Sequence, residues 1–138
     1  MNILFDTNVI LDVLLDREPF CDDAALLFDA VERSTINGYL CATTVTTVHY
    51  FVGKGRDSRT AIDSVRLLLE MFDVASVTRS VLKEALETQF SDFEDGVIYR
   101  SAASVNADGL VTRNPRDFVK ARIPVYTPPQ LVAALKLV

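Results

Sequence analysis

The most informative stretch of the chain reads Leu110-Val111-Thr112-Arg113-Asn114-Pro115-Arg116-Asp117-Phe118. Its first three residues form a short β-type run, and Asn114-Pro115 favours the start of a short helix because proline is tolerated in the first helical turn. The polar residues between them therefore lie where a predicted strand meets a predicted helix. In open parallel sheets, ligands bind beyond the carboxyl ends of the strands. This stretch is thus predicted to carry part of a binding or catalytic site.

Strand-like runs and segments of helical period alternate along the whole chain, which predicts an α/β fold. The predicted strands cover residues 2–5, 39–42, 74–77, 110–112 and 124–126. The predicted helices begin near residues 7, 24, 43, 58, 80, 91, 115 and 128, and Thr43 or Thr44 is expected to cap the third. Repeated strand–helix–strand units favour a three-layer α/β/α arrangement with a mainly parallel central sheet. We expect a single domain over residues 1–138.

The composition is typical of a soluble globular protein. The 138 residues are 49% apolar and 24% charged, without a long apolar run of membrane-spanning length. The first residues lack the basic segment of a signal sequence, so we expect a cytoplasmic protein without membrane contact. The net charge of −5 argues against unspecific attraction to a polyphosphate, unless bound cations mask some of the acids. Cys21 and Cys41 have no CxxC partner or nearby histidine and are expected to be buried free thiols.

Four aspartates stand at predicted junctions of strands and helices, namely Asp6, Asp92, Asp95 and Asp117. Each has an alternative explanation as a helix cap, as part of the acidic first turn of a helix or as a surface ion pair. On the helix near residue 91, the apolar stripe places Asp95 and Asp92 on one flank and Glu94 on the opposite flank. The predicted sheet brings three separate segments to one edge, which favours a common site.

A cluster of carboxylates at one edge favours a divalent cation. Two carboxylates about 4 Å apart repel each other by about 4 kcal/mol at an effective dielectric constant near 20, and a cation removes that cost. An all-oxygen site suits Mg²⁺ or Mn²⁺, whereas zinc prefers the cysteine and histidine ligands that are missing near these acids. Such an ion can orient a hydroxide and stabilise charge on a phosphate oxygen. The acids therefore predict metal-dependent chemistry on phosphate esters.

Three segments resemble signatures of the PIN-domain family, which includes VapC-like toxin ribonucleases. They are Phe5-Asp6-Thr7-Asn8, Asp92-Phe93-Glu94-Asp95 and the stretch from Leu110 to Phe118, in the family's order. The resemblance implies a PIN-like fold and a metal-dependent endoribonuclease that acts on RNA with Mg²⁺ or Mn²⁺. It implies that the catalytic metal ligands are Asp6, Asp95 and Asp117, with Asp92 as an additional metal ligand. It also implies supporting hydrogen bonds from Asn8, Thr112 and Asn114.

The main departure from the family is at Thr47. In the segment Thr43-Thr44-Val45-Thr46-Thr47-Val48-His49-Tyr50, this threonine occupies the place of a glutamate that the family usually has. A threonine hydroxyl can hold a metal-bound water but adds no negative charge, and Asp92 is a candidate for supplying that charge. His49 is expected to be packed or hydrogen-bonded rather than to act as a ligand.

The basic residues have two interpretations. Arg113, Arg116 and Lys120, together with Arg122, either guide RNA phosphates to the acidic pocket or form a solvated face with local ion pairs. The resemblance further implies that the protein is the toxin of a toxin–antitoxin pair, with a small antitoxin protein as its partner. The second and fourth helices are candidates for a homodimer surface.

Two other functions are compatible with the sequence. The glutamate missing at Thr47 fits a catalytically weakened domain that uses the same pocket to bind nucleic acid or a partner protein. Phosphotransfer with Asp6 as the nucleophile is a third reading. A phosphatase of the haloacid-dehalogenase type has a second aspartate two residues further on, where this chain has Asn8, so this reading has less support.

Overall fold

Five parallel strands form the central sheet of the computed structural model, which describes residues 1–137. The strands are β1 (Asn2–Phe5), β2 (Asn37–Cys41), β3 (Asp73–Ala75), β4 (Gly109–Val111) and β5 (Val125–Tyr126). Their order across the sheet is β3-β2-β1-β4-β5, and every neighbouring pair is parallel. The predicted parallel sheet is confirmed.

Seven α-helices in residues 1–137 surround the sheet. They are α1 (Thr7–Leu14), α2 (Cys21–Glu32), α3 (Ala42–Gly55), α4 (Ser58–Met71), α5 (Arg79–Glu87), α6 (Phe93–Ser104) and α7 (Pro128–Ala134), and a 3₁₀ helix covers Pro115–Phe118. The predicted third helix was expected to begin after a threonine cap, which is wrong. Helix α3 begins at Ala42, and its N-cap residue Cys41 makes no capping hydrogen bond through its side chain.

Helices cover both faces of the sheet, as the alternation along β1 shows. Ile3 and Phe5 pack into one core with residues of α1, α2, α3, α4 and α7, whereas Leu4 packs into a second core with residues of α5 and α6. Successive side chains of a strand point to opposite faces, so each core occupies one side of β1. All three side chains are fully buried. The three-layer α/β/α prediction is therefore confirmed.

Strands β1 and β4 place their following residues side by side. Phe5 pairs with Val111 in the parallel register, so Asp6 and Thr112 both leave the sheet at its carboxyl edge. The backbone N–H of Asp6 donates to the carbonyl oxygen of Val111 at 2.9 Å, which extends the pairing by one residue. This edge is where the sequence predicted the site.

A close aromatic cluster supports the face of the sheet that carries Ile3 and Phe5. The rings of Phe5, Phe28 and Phe72 meet edge to face, with centroids 5.2 to 6.4 Å apart. Gly38 leaves room for this cluster, because a Cβ atom there would lie 2.6 Å from a ring carbon of Phe72.

No helix in residues 1–137 has both the length and the apolar character needed to span a bilayer.

Candidate metal centre

Asp6 combines two roles at the end of β1. Its Oδ1 accepts from the backbone N–H of Thr7 at 2.8 Å, which caps α1, and its Oδ2 accepts from the hydroxyl of Thr112 at 2.7 Å. The residue is only 7% exposed. Burial raises the pKa of Asp6 above its ordinary value of 3.8, the two hydrogen bonds act in the opposite direction, and the charges of Glu94 and Asp117 raise it further. Asp6 is thus more than a helix cap, because other acids lie near it.

Asp95 lies in the first turn of α6 and is half-buried. Burial is the largest cause that raises its pKa to about 7, and the neighbouring charges of Asp92, Asp6, Asp117 and Glu94 add to the effect. A buried carboxyl group among like charges favours its protonated form. All four predicted metal acids therefore interact electrostatically through Asp95.

Asp92 is the N-cap residue of α6. Its Oδ1 accepts from the backbone N–H groups of Glu94 at 2.8 Å and Asp95 at 3.3 Å, and its side chain is exposed. The alternative explanation placed Asp92 in the acidic first turn of the helix, whereas it lies one residue before the helix as its N-cap. The cap fixes the start of the helix at Phe93, two residues later than the sequence predicted.

Glu94 was expected on the flank of α6 away from Asp95, and it is exposed in the first turn of that helix. Its negative charge nevertheless adds to the effect of burial in raising the pKa of both Asp6 and Asp95. Its position directly before Asp95 in that turn was the available signal.

Asp117 reaches the same region from the 3₁₀ helix after β4. Its side chain is exposed, and its backbone N–H donates to the carbonyl oxygen of Asn114 at 3.0 Å. Its charge raises the pKa of both Asp6 and Asp95. The three segments that carry the acids thus meet at one edge of the sheet.

The four aspartates lie near one another, but no three of them have carboxylate oxygens within 4.8 Å of one another. In the part of the chain that the structure describes, three potential ligand side chains have donor atoms within 4.8 Å of one another only at Glu18, Cys21 and Asp22. That group is largely exposed, and partial burial together with the two carboxylates raises the pKa of the Cys21 thiol to about 11. A protonated thiol is a poor metal ligand. Both cysteines are free thiols, as expected; Cys41 is buried, but the expected burial of Cys21 is wrong, because it is only half-buried.

Thr112 is the best placed of the predicted supporting residues. It is fully buried, donates to Asp6, and its hydroxyl oxygen accepts from the backbone N–H of Asn114 at 3.0 Å. Asn8 also connects to this loop, because its Oδ1 accepts from the backbone N–H of Arg113 at 3.3 Å. The loop after β4 is therefore tied both to Asp6 and to α1.

Thr47 is half-buried in α3, and its hydroxyl donates to the carbonyl oxygen of Thr43 at 3.0 Å. This bond keeps the hydroxyl within its own helix. The start of the same helix is fixed by a buried contact between the hydroxyl groups of Thr44 and Thr7, which are 2.8 Å apart. His49, expected to be packed or hydrogen-bonded, is exposed. The expectation of a packed histidine is wrong, because His49 lies on the outer face of α3.

The predicted RNA-binding residues differ in their surroundings. Arg116 and Lys120 are exposed and line a cleft of about 150 Å³ beside Asp117. The ammonium group of Lys120 donates to the carbonyl oxygen of Gln89 at 2.8 Å. Arg113 instead points to the buried carboxylate of Asp12, with Nε 2.7 Å from Oδ2. The cleft thus presents positive charge directly next to an acid of the site.

The residues at this edge fit a hard divalent cation. All the acids offer oxygen donors, and burial, with the mutual repulsion of the acids as a smaller cause, raises the pKa of Asp6 and of Asp95. A divalent cation removes that repulsion, and carboxylate oxygens are the ligands that Mg²⁺ and Mn²⁺ favour. Among these residues, Asp6, Asp95 and Asp117 come from three different segments and could hold an ion between them.

Several solved structures have a similar fold. FitAcB from Neisseria gonorrhoeae aligns over 91% of this chain and 97% of its own, with a TM-score of 0.70 and 22% identity. DNA-bound VapBC from Salmonella typhimurium aligns over 93% and 98%, with a TM-score of 0.70 and 14% identity. VapC20 from Mycobacterium tuberculosis, a sarcin-ricin loop cleaving toxin, aligns over 78% and 86%, with a TM-score of 0.64 and 11% identity. At these identities the similarity establishes the fold alone.

The sequence itself gives the family. No curated protein matches the chain, but residues 2–116 match the family model described as PIN domain. The matched range contains Asp6, Asp92 and Asp95, and it ends one residue before Asp117. The match extends from β1 through β4 to the start of the 3₁₀ helix. The chain therefore belongs to the PIN-domain family.

Proposed function

We propose that this protein is a Mg²⁺- or Mn²⁺-dependent endoribonuclease that hydrolyses RNA phosphodiester bonds. The observation that carries the proposal is the electrostatic coupling of Asp6, Asp95 and Asp117 at the carboxyl edge of the sheet. A divalent cation bound there supplies Lewis acidity for phosphodiester hydrolysis. Membership of the PIN-domain family supports the same chemistry.

The residues of the chain have separate tasks in this proposal. Asp6, Asp95 and Asp117 hold the ion, and Asp92 adds negative charge from the helix cap. Thr112 orients the carboxylate of Asp6 through its 2.7 Å hydrogen bond. Because phosphate contacts position a nucleic acid without reading its sequence, the exposed Arg116 and Lys120 serve to place the RNA backbone beside Asp117.

Cleavage of RNA in the presence of Mn²⁺ tests the proposal. Asp6→Asn and Asp95→Asn each keep the shape of the side chain but remove a charge, and we expect both variants to lose cleavage and to bind Mn²⁺ more weakly. Asp29→Asn is the matched control, because Asp29 is an exposed acid paired with Arg33 on α2. Cleavage that survives both substitutions at the edge would rule out this mechanism.

We also propose that the protein is the toxin of a toxin–antitoxin pair. Similar folds occur in a toxin–antitoxin complex from Klebsiella pneumoniae, with 24% identity and a TM-score of 0.67, and in VapBC2 from Rickettsia felis bound to a DNA fragment from the promoter of its genes. A small antitoxin protein should then be encoded beside this gene, and its co-expression should relieve growth inhibition. An intact operon that encodes no such neighbour would contradict the toxin role and leave the nuclease proposal standing.

A homodimer is part of the same proposal. Helix α4 exposes large apolar side chains, including Ile62, Leu67 and Leu69, of which Leu69 is 54% exposed. Isologous dimers commonly bury such residues. Leu69→Glu should then shift the sedimentation coefficient from that of a dimer to that of a monomer. A wild-type protein that sediments as a monomer at high concentration would refute the dimer.

A catalytically weakened binding domain is the second candidate function. Thr47 favours it, because its hydroxyl donates within α3 and brings no charge to the edge. Calorimetry distinguishes the two functions. If the wild-type protein binds no Mn²⁺ at millimolar concentration but still binds RNA or a partner protein, the binding role is correct and the nuclease proposal is wrong.

A further inference from the structure

Asp12 is a fully buried carboxylate in the middle of α1. Buried carboxylates are costly unless an opposite charge accompanies them. Two arginines approach this one, with Arg113 Nε 2.7 Å from Oδ2 and Arg17 Nη1 3.8 Å from Oδ1. Neither carboxylate oxygen has an aligned hydrogen bond in residues 1–137, so charge attraction is the main contact.

Arg113 is held from three sides. Its guanidinium carbon Cζ lies 4.1 Å from the ring centroid of Phe20, and its Nε lies 2.7 Å from the Asp12 carboxylate. Its backbone N–H donates to Asn8 Oδ1 at 3.3 Å. Asn8 and Asp12 are four residues apart on α1 and therefore share one face of the helix. That face binds both the backbone and the side chain of Arg113.

The residues on either side of Arg113 belong to the metal centre or lead to it. Thr112 donates to Asp6, and the backbone N–H of Asn114 donates to the Thr112 hydroxyl. The carbonyl oxygen of Asn114 then accepts from the backbone N–H of Asp117 at 3.0 Å. A continuous series of contacts thus runs from the buried carboxylate to an acid at the sheet edge.

We propose that Asp12 is a positioning residue, which holds Arg113 and thereby fixes the loop of residues 112–117 so that Asp117 and Asp6 face the same ion. The inference rests on the proposed nuclease function for its consequence in catalysis. It gives Arg113 a task different from binding RNA phosphates, because its guanidinium is already shared between a buried carboxylate and an aromatic ring. Arg116 and Lys120 are then the residues left to bind the RNA backbone.

Amide hydrogen exchange of the metal-free protein tests the positioning itself. In Asp12→Asn, which keeps the shape and removes the charge, we expect residues 112–117 to lose protection while the strands keep theirs. Asp29→Asn, which breaks the exposed ion pair with Arg33, is the matched control and should leave this loop unchanged. Arg113→Lys keeps a positive charge near Asp12 without the planar guanidinium and should lose part of the protection. If the Asp12→Asn variant does not fold, hydrogen exchange at residues 112–117 in Arg113→Lys decides whether the contact positions the loop.

Mn²⁺ affinity and steady-state kinetics test the consequence. Loss of a residue that orients metal ligands typically costs about 10- to 100-fold in metal affinity or activity, so Asp12→Asn and Arg113→Lys should both lower kcat with an unchanged KM for RNA. The combined variant should be little worse than the poorer single variant, because both residues act through one contact. A raised KM with an unchanged kcat in Arg113→Lys would mean that Arg113 binds phosphate, and would overturn the inference.

The two proposals fail in different ways. A wild-type protein that neither binds Mn²⁺ nor cleaves RNA refutes the nuclease function, while hydrogen exchange still decides whether Asp12 holds the loop. Unchanged exchange at residues 112–117 in both variants refutes the positioning role, whatever the wild-type protein does with RNA. Loss of protection throughout the chain in Arg113→Lys would likewise refute it, since the pair would then stabilise the fold as a whole.

Discussion

The hydroxyl of Thr112 donates to Oδ2 of Asp6 at 2.7 Å, so a residue after β4 orients the carboxylate after β1. Thr112→Val keeps the branched shape and removes this hydrogen bond inside a buried site. We expect Mn²⁺ affinity and kcat to fall by about 10- to 100-fold, and the free energy of unfolding to fall by about 1–3 kcal/mol. Calorimetry and urea unfolding measure the two effects.

The control for this prediction is Thr46→Val. The hydroxyl of Thr46 donates only to a carbonyl oxygen of its own helix, and the residue is exposed. This variant should bind Mn²⁺ as the wild-type protein does. Equal Mn²⁺ affinity in Thr112→Val and the wild-type protein would show that the hydroxyl does not orient Asp6.

The stability of the metal-free protein should fall as pH rises towards neutrality. The pKa of Asp95 is about 7 in the folded state, whereas its ordinary value is 3.8. Between these two pH values the folded state keeps a proton that the unfolded state has lost. The free energy of unfolding therefore decreases as pH rises through this range. Burial shifts the pKa of Asp6 in the same direction. Urea unfolding at about pH 5 and about pH 8 measures the difference.

Asp95→Asn should weaken the dependence of the free energy of unfolding on pH, since asparagine does not titrate. Mn²⁺ should remove the same dependence in the wild-type protein, because it stabilises the ionised acids. Asp29→Asn again serves as the control. A wild-type protein that becomes more stable between about pH 5 and about pH 8 without metal would contradict the raised pKa values.

Thr47→Glu should strengthen the metal centre. A glutamate at this half-buried position of α3 adds the negative charge that the PIN-domain resemblance leads one to expect there. We predict higher Mn²⁺ affinity together with faster RNA cleavage, measured by calorimetry and by initial rates. Thr46→Glu adds the same charge at an exposed neighbouring position and should change neither quantity. Equal gains in both variants would mean that only the net charge matters.

Gly38→Ala should destabilise the fold without a direct effect on the acids. The added Cβ would lie 2.6 Å from Phe72 Cδ2 and 2.9 Å from Val31 Cγ2, and such overpacking costs about 1–3 kcal/mol. Gly53 in helix α3 provides the matched control, because a Cβ atom there would have its nearest neighbour, Ala61 Cβ, at 3.8 Å. The control variant is Gly53→Ala. It should stabilise the protein by about 0.5–1 kcal/mol. Denaturant midpoints measure both, and equal stability of the two variants would refute the packing argument.

Most of the fold was predictable because strand-like and helical segments alternate along the chain, and because the central strands β1 and β4 are buried apolar runs. The run from Asn2 to Phe5 has four residues of strand character before an aspartate, and β1 has these bounds. The same logic located β4 to within one residue. The start of α3 was not predictable from capping preference, because Ala42 follows β2 directly and its cap residue is Cys41. The hydroxyl groups of Thr43 and Thr44 contact Cys41 and Thr7 instead of capping the helix.

The location of the candidate site follows more directly from the sequence than its members do. Asp6 and Asp117 come after predicted strands, and all three aspartates lie in segments that resemble family signatures, Asp95 among them. Both signals can be read from the local sequence. Asp12 was missed, since nothing local tells which distant arginine neutralises a carboxylate within an apolar helix. Its partner Arg113 is 101 residues further along the chain.

The contact between Asp6 and Thr112 joins residues that are 106 positions apart in the chain. A ribosome-bound chain that ends before β4 contains Asp6 and Asp95 but lacks Thr112 and Asp117. The carboxylates that should hold the ion can assemble only after residue 117 has been synthesised and β4 has docked beside β1. Translation products that end before residue 117 therefore lack part of the proposed metal centre, and the proposed nuclease activity arises only in molecules whose synthesis has passed this point.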